Sequence, residues 1–224
     1  CIESILKQQL TNSYEIIVIN NMSIDRTATV AGNYRVIIEN EKKSGLSNAR
    51  ARGLKCAKGE IIIFIDADTI LPPTWTRIVT SFLKNNDDVV AVSCGFVFYD
   101  GRFYEKLAAV LIQSLNPLCN SLLTFLGKPN IFYGQSFAVK KASLIQAGGI
   151  NMDFPFYAED IAMAERLSTV GNVKYLKSIK ASTSARRYHQ LGTLRTLYSY
   201  VVPMFFLIIG HYDDAKKFAS NRKV

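Results

Sequence analysis

Short β-branched apolar runs alternate along this chain with stretches whose apolar residues recur at helical spacing. Tyr14-Glu-Ile-Ile-Val-Ile-Asn20 is one such run, closed by Asn20-Asn21, and it predicts a buried parallel strand with a loop at its carboxyl end. Ser23-Ile-Asp-Arg-Thr27 then offers capping residues for a short helix, and Tyr34–Glu39 predicts the next strand. Between Ser44 and Ala57 the residues Leu46, Ala49, Gly53 and Leu54 share one helical face, and Gly59 ends the element. Glu60–Asp66 is the strongest strand signal in the chain. Pro72-Pro73 opens a helix over 72–85, and Val89–Phe98 predicts a strand that ends at the turn Asp100-Gly101. This order predicts an α/β fold with a mainly parallel sheet and helices on both faces.

The second half is more apolar. Tyr104–Leu126 reads as a long helix or helix pair, and its polar interruptions at Gln113, Ser114, Asn116, Pro117 and Asn120 argue against a membrane span. A strand near Phe132–Val139, a helix over 140–147, a loop from Gly148 to Pro155, a helix over 158–170 and strands near 173–176 and 179–184 follow. Leu197–Ile209 is short for a span and contains Pro203, so it suits an interfacial or docked helix; a core helix covering the sheet fits the same pattern equally. One α/β domain over 1–190 and an apolar helical tail over 191–224 are the expected organisation. The opening Cys1-Ile-Glu-Ser-Ile-Leu reads as a helix already under way, which predicts that the first strand of the fold lies outside this sequence.

Composition narrows the partners. The 224 residues, 49% hydrophobic and 20% charged, suffice for one domain with a substantial core. A formal net charge of +9 favours an anionic partner. No arginine-rich arm, RNA-binding aromatic signature or finger spacing is present, so nucleic acid is the least favoured. Cys1, Cys56, Cys94 and Cys119 show no metal spacing, which disfavours a zinc site or disulfide framework and fits a reducing cytosolic setting. The first residues lack the basic and apolar regions of a signal peptide.

Asp66-Ala67-Asp68 lies where the strongest strand ends, the edge at which open α/β sheets bind ligands. Two hard oxygen donors suit Mg2+ or Mn2+ bound together with a diphosphate; taken alone, the same pair also serves as a cap before Pro72. Around it stand further motifs in a fixed order. Val18-Ile-Asn-Asn-Met-Ser-Ile-Asp-Arg-Thr27, Gly45-Leu-Ser-Asn-Ala-Arg-Ala-Arg-Gly53, Lys58–Asp68, Gly134-Gln-Ser-Phe-Ala-Val, Gly148-Gly149 and Tyr157-Ala-Glu-Asp160 together resemble glycosyltransferase family 2, whose members have the GT-A fold.

That resemblance implies an inverting transfer from a nucleotide-sugar donor, a UDP- or GDP-sugar, to a hydroxyl or phosphate of a glycan or lipid-linked acceptor. It implies Asp160 as general base beside Glu159, and Asp68 with Asp66 on the divalent metal. Donor contacts are implied for Asn20, Asn21, Asp25, Arg50, Asp66 and Ala67, diphosphate contacts for Arg186 or Arg187, and acceptor-side positions for Gly134, Gln135 and Tyr157. Locally, Glu159 and Asp160 also read as first-turn helix acids, Arg186-Arg187 as a surface basic pair, and His189 as a structural or solvated histidine. Asn20 stands where the family carries an acid, leaving the base open, and Met22 replaces a customary glycine. The apolar 104–126 and 197–209 segments, flanked by basic residues, imply the cytoplasmic side of a membrane, reached peripherally or through the tail. A non-catalytic sugar-nucleotide-binding or partner-binding module is the alternative, and a nucleotidyltransferase, lacking its Gly-rich basic loop, is more distant.

Overall fold

A computed structural model describes residues 1–10, 13–128, 130–152 and 159–220. After α1 (Ile2–Leu6), β1 (Ile17–Asn21) and β2 (Ile37–Glu41) form a parallel pair connected through α2 (Thr27–Ala31), with Ile19 opposite Glu39. Helix α3 (Leu46–Cys56) packs on β1, where Gly53 lets the backbone approach Ile19 closely. A four-stranded sheet follows, built from β3 (Ile61–Ile65), β4 (Val89–Phe98), β5 (Ser136–Lys140) and β6 (Asn172–Thr183) in the order β3-β5-β4-β6.

The sheet is mixed rather than mainly parallel. β4 and β6 are parallel, but β5 runs antiparallel to both β3 and β4, with Ala138 opposite Ile63 on one side and Val92 on the other. The cause lies in the connection. After β4 the chain runs through the long helix α5 (Phe103–Phe125) and re-enters the sheet from the ligand end, so β5 begins where β3 finishes. The strand starts later than the predicted Phe132: Gly134 and Gln135 form a turn, and pairing begins at Ser136. The two strands expected near 173–176 and 179–184 are one strand with an irregularity: Cys94 pairs with Leu176 and Gly95 with Lys180, so residues 177–179 are extra.

Helices cover both faces, as the alternation predicted. On one side Phe64, Phe137 and Val139 pack with Leu144 of α6 (Lys141–Gln146) and with Met163 and Leu167 of α7 (Glu159–Leu167). On the other, Val92, Cys94 and Ala138 meet Trp75, Val79 and Leu83, which recur every fourth residue along α4 (Trp75–Asn85). The chain ends in α8 (Arg186–Leu191), α9 (Thr193–Ile208) and α10 (Tyr212–Ser220).

Candidate active site

The cleft is built where β3 stops. The backbone N–H of Asp66 donates to the carbonyl of Gln135 at 2.9 Å, stitching the exit of β3 to the entry of β5. The N–H of Thr69 then donates to the Asp66 carbonyl at 2.9 Å, closing a turn that carries Asp68 back toward β6, with Ala67 exposed between the two acids. A bridge between Ile70 and Ser182 holds this turn against β6, and the Thr183 hydroxyl reaches Asp68 Oδ1 at 3.4 Å.

Arg50 reaches the same place from α3, with only 5% of its side chain exposed. Its guanidinium donates to Glu159 Oε1 at 3.1 Å, to the Gly134 carbonyl at 2.8 Å and to Asp66 Oδ1 at 3.4 Å, and it lies over the Phe137 ring at 5.2 Å. Asp160 accepts the N–H of Gly134 at 3.0 Å on one oxygen and that of Ile161 at 2.9 Å on the other. The Gly134 peptide thus serves Asp160 with its N–H and Arg50 with its carbonyl. A Cβ at position 134 would stand 3.0 Å from Asp160 Cβ and 3.4 Å from Arg50 Nη2, so any side chain there would press on both groups.

Burial raises the proton affinity of all three acids at this point. Glu159 is pushed up to about 8 by loss of water and by the neighbouring Asp160, with Arg50 pulling the other way. Asp160 is raised by burial, opposed by Arg50 and by its backbone donors. Asp66 is raised by burial too, although 37% of its side chain faces the cleft, and Arg50 offsets part of that rise.

Helix α8 closes the far side. Arg186 Nε lies 3.0 Å from Asp68 Oδ2, and Arg187 is near enough to draw the Asp66 pKa down. The start of α8 is fixed by Asp100, which accepts the Ser184 hydroxyl and the Ala185 N–H at 2.6 Å. Asp100 and Thr183 were missed by sequence reasoning; Asp100-Gly101 signals a turn, and nothing in sequence links it to a helix more than eighty residues on. His189 bonds Glu105, in line with its structural reading, at 3.0 Å.

Asp66, Asp68, Arg50, Gly134, Gln135, Glu159, Asp160, Arg186 and Arg187 therefore come together, while three donor-loop residues are engaged locally. Asn21 donates to the carbonyls of Lys43 and Glu41 and accepts the N–H of Gly45, fastening the start of α3. Asn20 accepts the Ser23 N–H at 3.3 Å and donates to Asn40 at 2.9 Å. Asp25 holds the backbone and hydroxyl of Thr27. Met22 occupies the left-handed region at φ 54°, the backbone state a glycine adopts without cost. The Gln135 side-chain amide nitrogen is buried with no hydrogen-bond partner. Tyr157 lies outside the described residues. Among the described residues no three His, Cys, Asp or Glu side chains form a ready-made metal cage. Asp66 and Asp68 offer two hard carboxylates, a donor set that fits Mg2+ or Mn2+ sharing its shell with phosphate oxygens and water.

The family model of Glycosyl transferase family 2 matches residues 1–146. The chain belongs to this family. Among curated relatives, the uncharacterized glycosyltransferase EpsJ of Bacillus subtilis is 34% identical over 101 residues, 43% of this chain and 29% of that protein. The chain thus spans under a third of that relative's length. Among solved structures, glucosyl-3-phosphoglycerate synthase from Mycobacterium tuberculosis, in complex with Mn2+, UDP and phosphoglyceric acid, superposes with a TM-score of 0.63 at 20% identity, covering 93% of this chain and 74% of that one. The mannosyltransferase PcManGT from Pyrobaculum calidifontis, in complex with GDP-Man and Mn2+, gives a TM-score of 0.63 at 18% identity, covering 98% and 68%. The fold is the GT-A fold.

Proposed function

We propose that this chain is the catalytic part of an inverting glycosyltransferase that moves a sugar from a UDP- or GDP-sugar to an acceptor hydroxyl. The observation carrying this reading is the Gly134 peptide, which ties Asp160 on one side and, through Arg50, Asp66 on the other. Asp160 takes the proton of the acceptor hydroxyl as that oxygen attacks the anomeric carbon from the face opposite the leaving diphosphate, and a single displacement inverts the centre. A carboxylate whose proton affinity is raised by burial is a stronger base, and two backbone N–H donors hold its orientation. Glu159 positions Arg50 rather than touching the acceptor.

Charge building on the departing diphosphate meets Arg186 and Arg187 at the start of α8. Asp68, with Asp66, would hold Mg2+ or Mn2+, which supplies Lewis-acid stabilisation of the leaving phosphate when bound. Residues 1–190 carry this chemistry, and 191–224 serve attachment at the cytoplasmic face of a membrane, where a lipid-linked or cell-surface glycan precursor is the acceptor.

The test compares wild type, Asp160→Asn and Asp68→Ala for donor hydrolysis and transfer across UDP- and GDP-sugars with Mn2+, alongside calorimetric nucleotide binding. Asp160→Asn keeps nucleotide affinity and loses roughly 10²–10⁴-fold in turnover. Asp68→Ala weakens binding only when Mn2+ is present, and chelation does the same to wild type. Equal activity in all three proteins overturns the assignment.

A further inference from the structure

Helix α5 is built the wrong way round for water. Its buried stripe, Glu105, Ala109, Gln113, Asn116 and, two turns on, Leu123, is mostly polar, and Glu105 and Asn116 are each 1% exposed. Its outward face holds Phe103, Leu111, Leu115, Leu118, Leu122 and Phe125, with Leu118 at 71% and Phe125 at 87% exposure. A helix between protein and water shows the opposite arrangement. Helix α9 repeats the inversion: Thr196 and Ser199 are buried, while Leu194, Tyr198, Val201 and Phe205 are exposed. The two helices meet at Glu105, which accepts from Thr193 at the start of α9 at 3.5 Å.

We propose that these two inverted faces seat the protein in the headgroup and acyl boundary of an anionic bilayer. This deepens, and rests on, the membrane-side acceptor reading above. Charge selects the occupant. The charged residues on and immediately before the exposed faces are Arg102, Lys106 and Arg195, and the one acid of the two helices, Glu105, is buried. A two-fold contact between copies would place these cations near their own images, whereas anionic headgroups complement them. Helix α5 has the length and composition of a span, yet it lies along the surface. The Gln113 amide bonds both the N–H and the carbonyl of Phe96, Asn116 bonds Tyr133, and Asn120 accepts the Ile131 N–H. Crossing the bilayer would leave those groups unpaired in hydrocarbon. Tyr133, bonded by Asn116 on the buried side of α5, directly precedes Gly134, so the helix carrying the lipid seat is linked through one residue to the peptide holding Asp160.

Co-flotation with phosphatidylcholine vesicles, with and without phosphatidylglycerol, tests the seat on wild type and on Leu111→Glu/Leu115→Glu/Leu118→Glu. Wild type floats with the anionic vesicles, and the triple variant loses about tenfold or more of that binding with unchanged circular dichroism. Donor hydrolysis in lipid-free buffer is read in parallel, and its retention in the variant supports a seat separate from the chemistry. A variant that floats like wild type overturns the proposal. So does a lipid-free dimer that the three substitutions dissolve, when neither protein binds vesicles. Wild type that floats yet hydrolyses no donor leaves the seat standing and removes the transferase reading alone.

Discussion

Arg50→Met asks how much of the site's stability rests on one buried cation. Methionine keeps much of the packing over Phe137 but removes the bonds to Glu159, Asp66 and the Gly134 carbonyl. Removing one partner of a buried ion pair costs about 3–5 kcal/mol, because the remaining charge is left without compensation. The loss depends on pH in a defined direction. Glu159, at about 8, already binds its proton more tightly folded than unfolded, so the stability that proton contributes is complete below the ordinary glutamate range and is lost as pH rises through the folded value. Without Arg50 the folded values of Glu159, Asp160 and Asp66 move further up, since the guanidinium opposes the rise in each. At pH 6 the variant can neutralise Glu159 by protonation; at pH 9 it must bury that carboxylate charged. Urea denaturation of both proteins at the two pH values should therefore show a deficit of several kcal/mol that is larger at pH 9. A deficit under about 1 kcal/mol, or one equal at both pH values, would refute the view of Arg50 as the charge that holds these acids together.

Two further outcomes follow from local geometry. Met22→Gly relieves a left-handed backbone costing about 1–2 kcal/mol against roughly 0.5–1 kcal/mol of added chain entropy, so the melting temperature should hold or rise slightly, while Met22→Val should lower it. Asp100→Ala removes the acceptor for Ser184 and Ala185 and should cost about 0.5–2 kcal/mol in denaturant unfolding, with weaker nucleotide binding through Arg186. Burial works against the Asp100 carboxylate, but the Ser184 and Ala185 bonds outweigh it and hold its pKa below the usual range. Its contribution is present above the ordinary aspartate pKa and disappears as pH falls through the folded value, so the two proteins should converge in strong acid.

The alternation of apolar runs was enough to place β1, β3, β4, α3 and α4 within a few residues, because each buries one face or one stripe against the sheet. Strand direction was not legible, since Ser136–Lys140 is equally apolar read either way, and only the long α5 connection sets it antiparallel. Asp66, Asp68, Arg50 and Asp160 could be nominated by motif, and their side chains converge. Asn21 could not be separated from a ligand-facing asparagine, because its three local bonds reach residues twenty or more positions away. The polar stripe of α5 was visible as interruptions at Gln113, Asn116 and Asn120. Which side of that stripe met protein was not, because periodicity fixes a face without naming the medium beyond it.

A single amide plane between Tyr133 and Gly134 supplies the donor to Asp160, and the next carbonyl along, that of Gly134, is the acceptor for Arg50. The two planes meet at the glycine α-carbon, so a displacement of that atom moves both contacts together, while rotation about its φ or ψ shifts one against the other. Tuning of the two charges is thereby mechanically joined, so a substitution chosen to shift one will register in the behaviour of its counterpart.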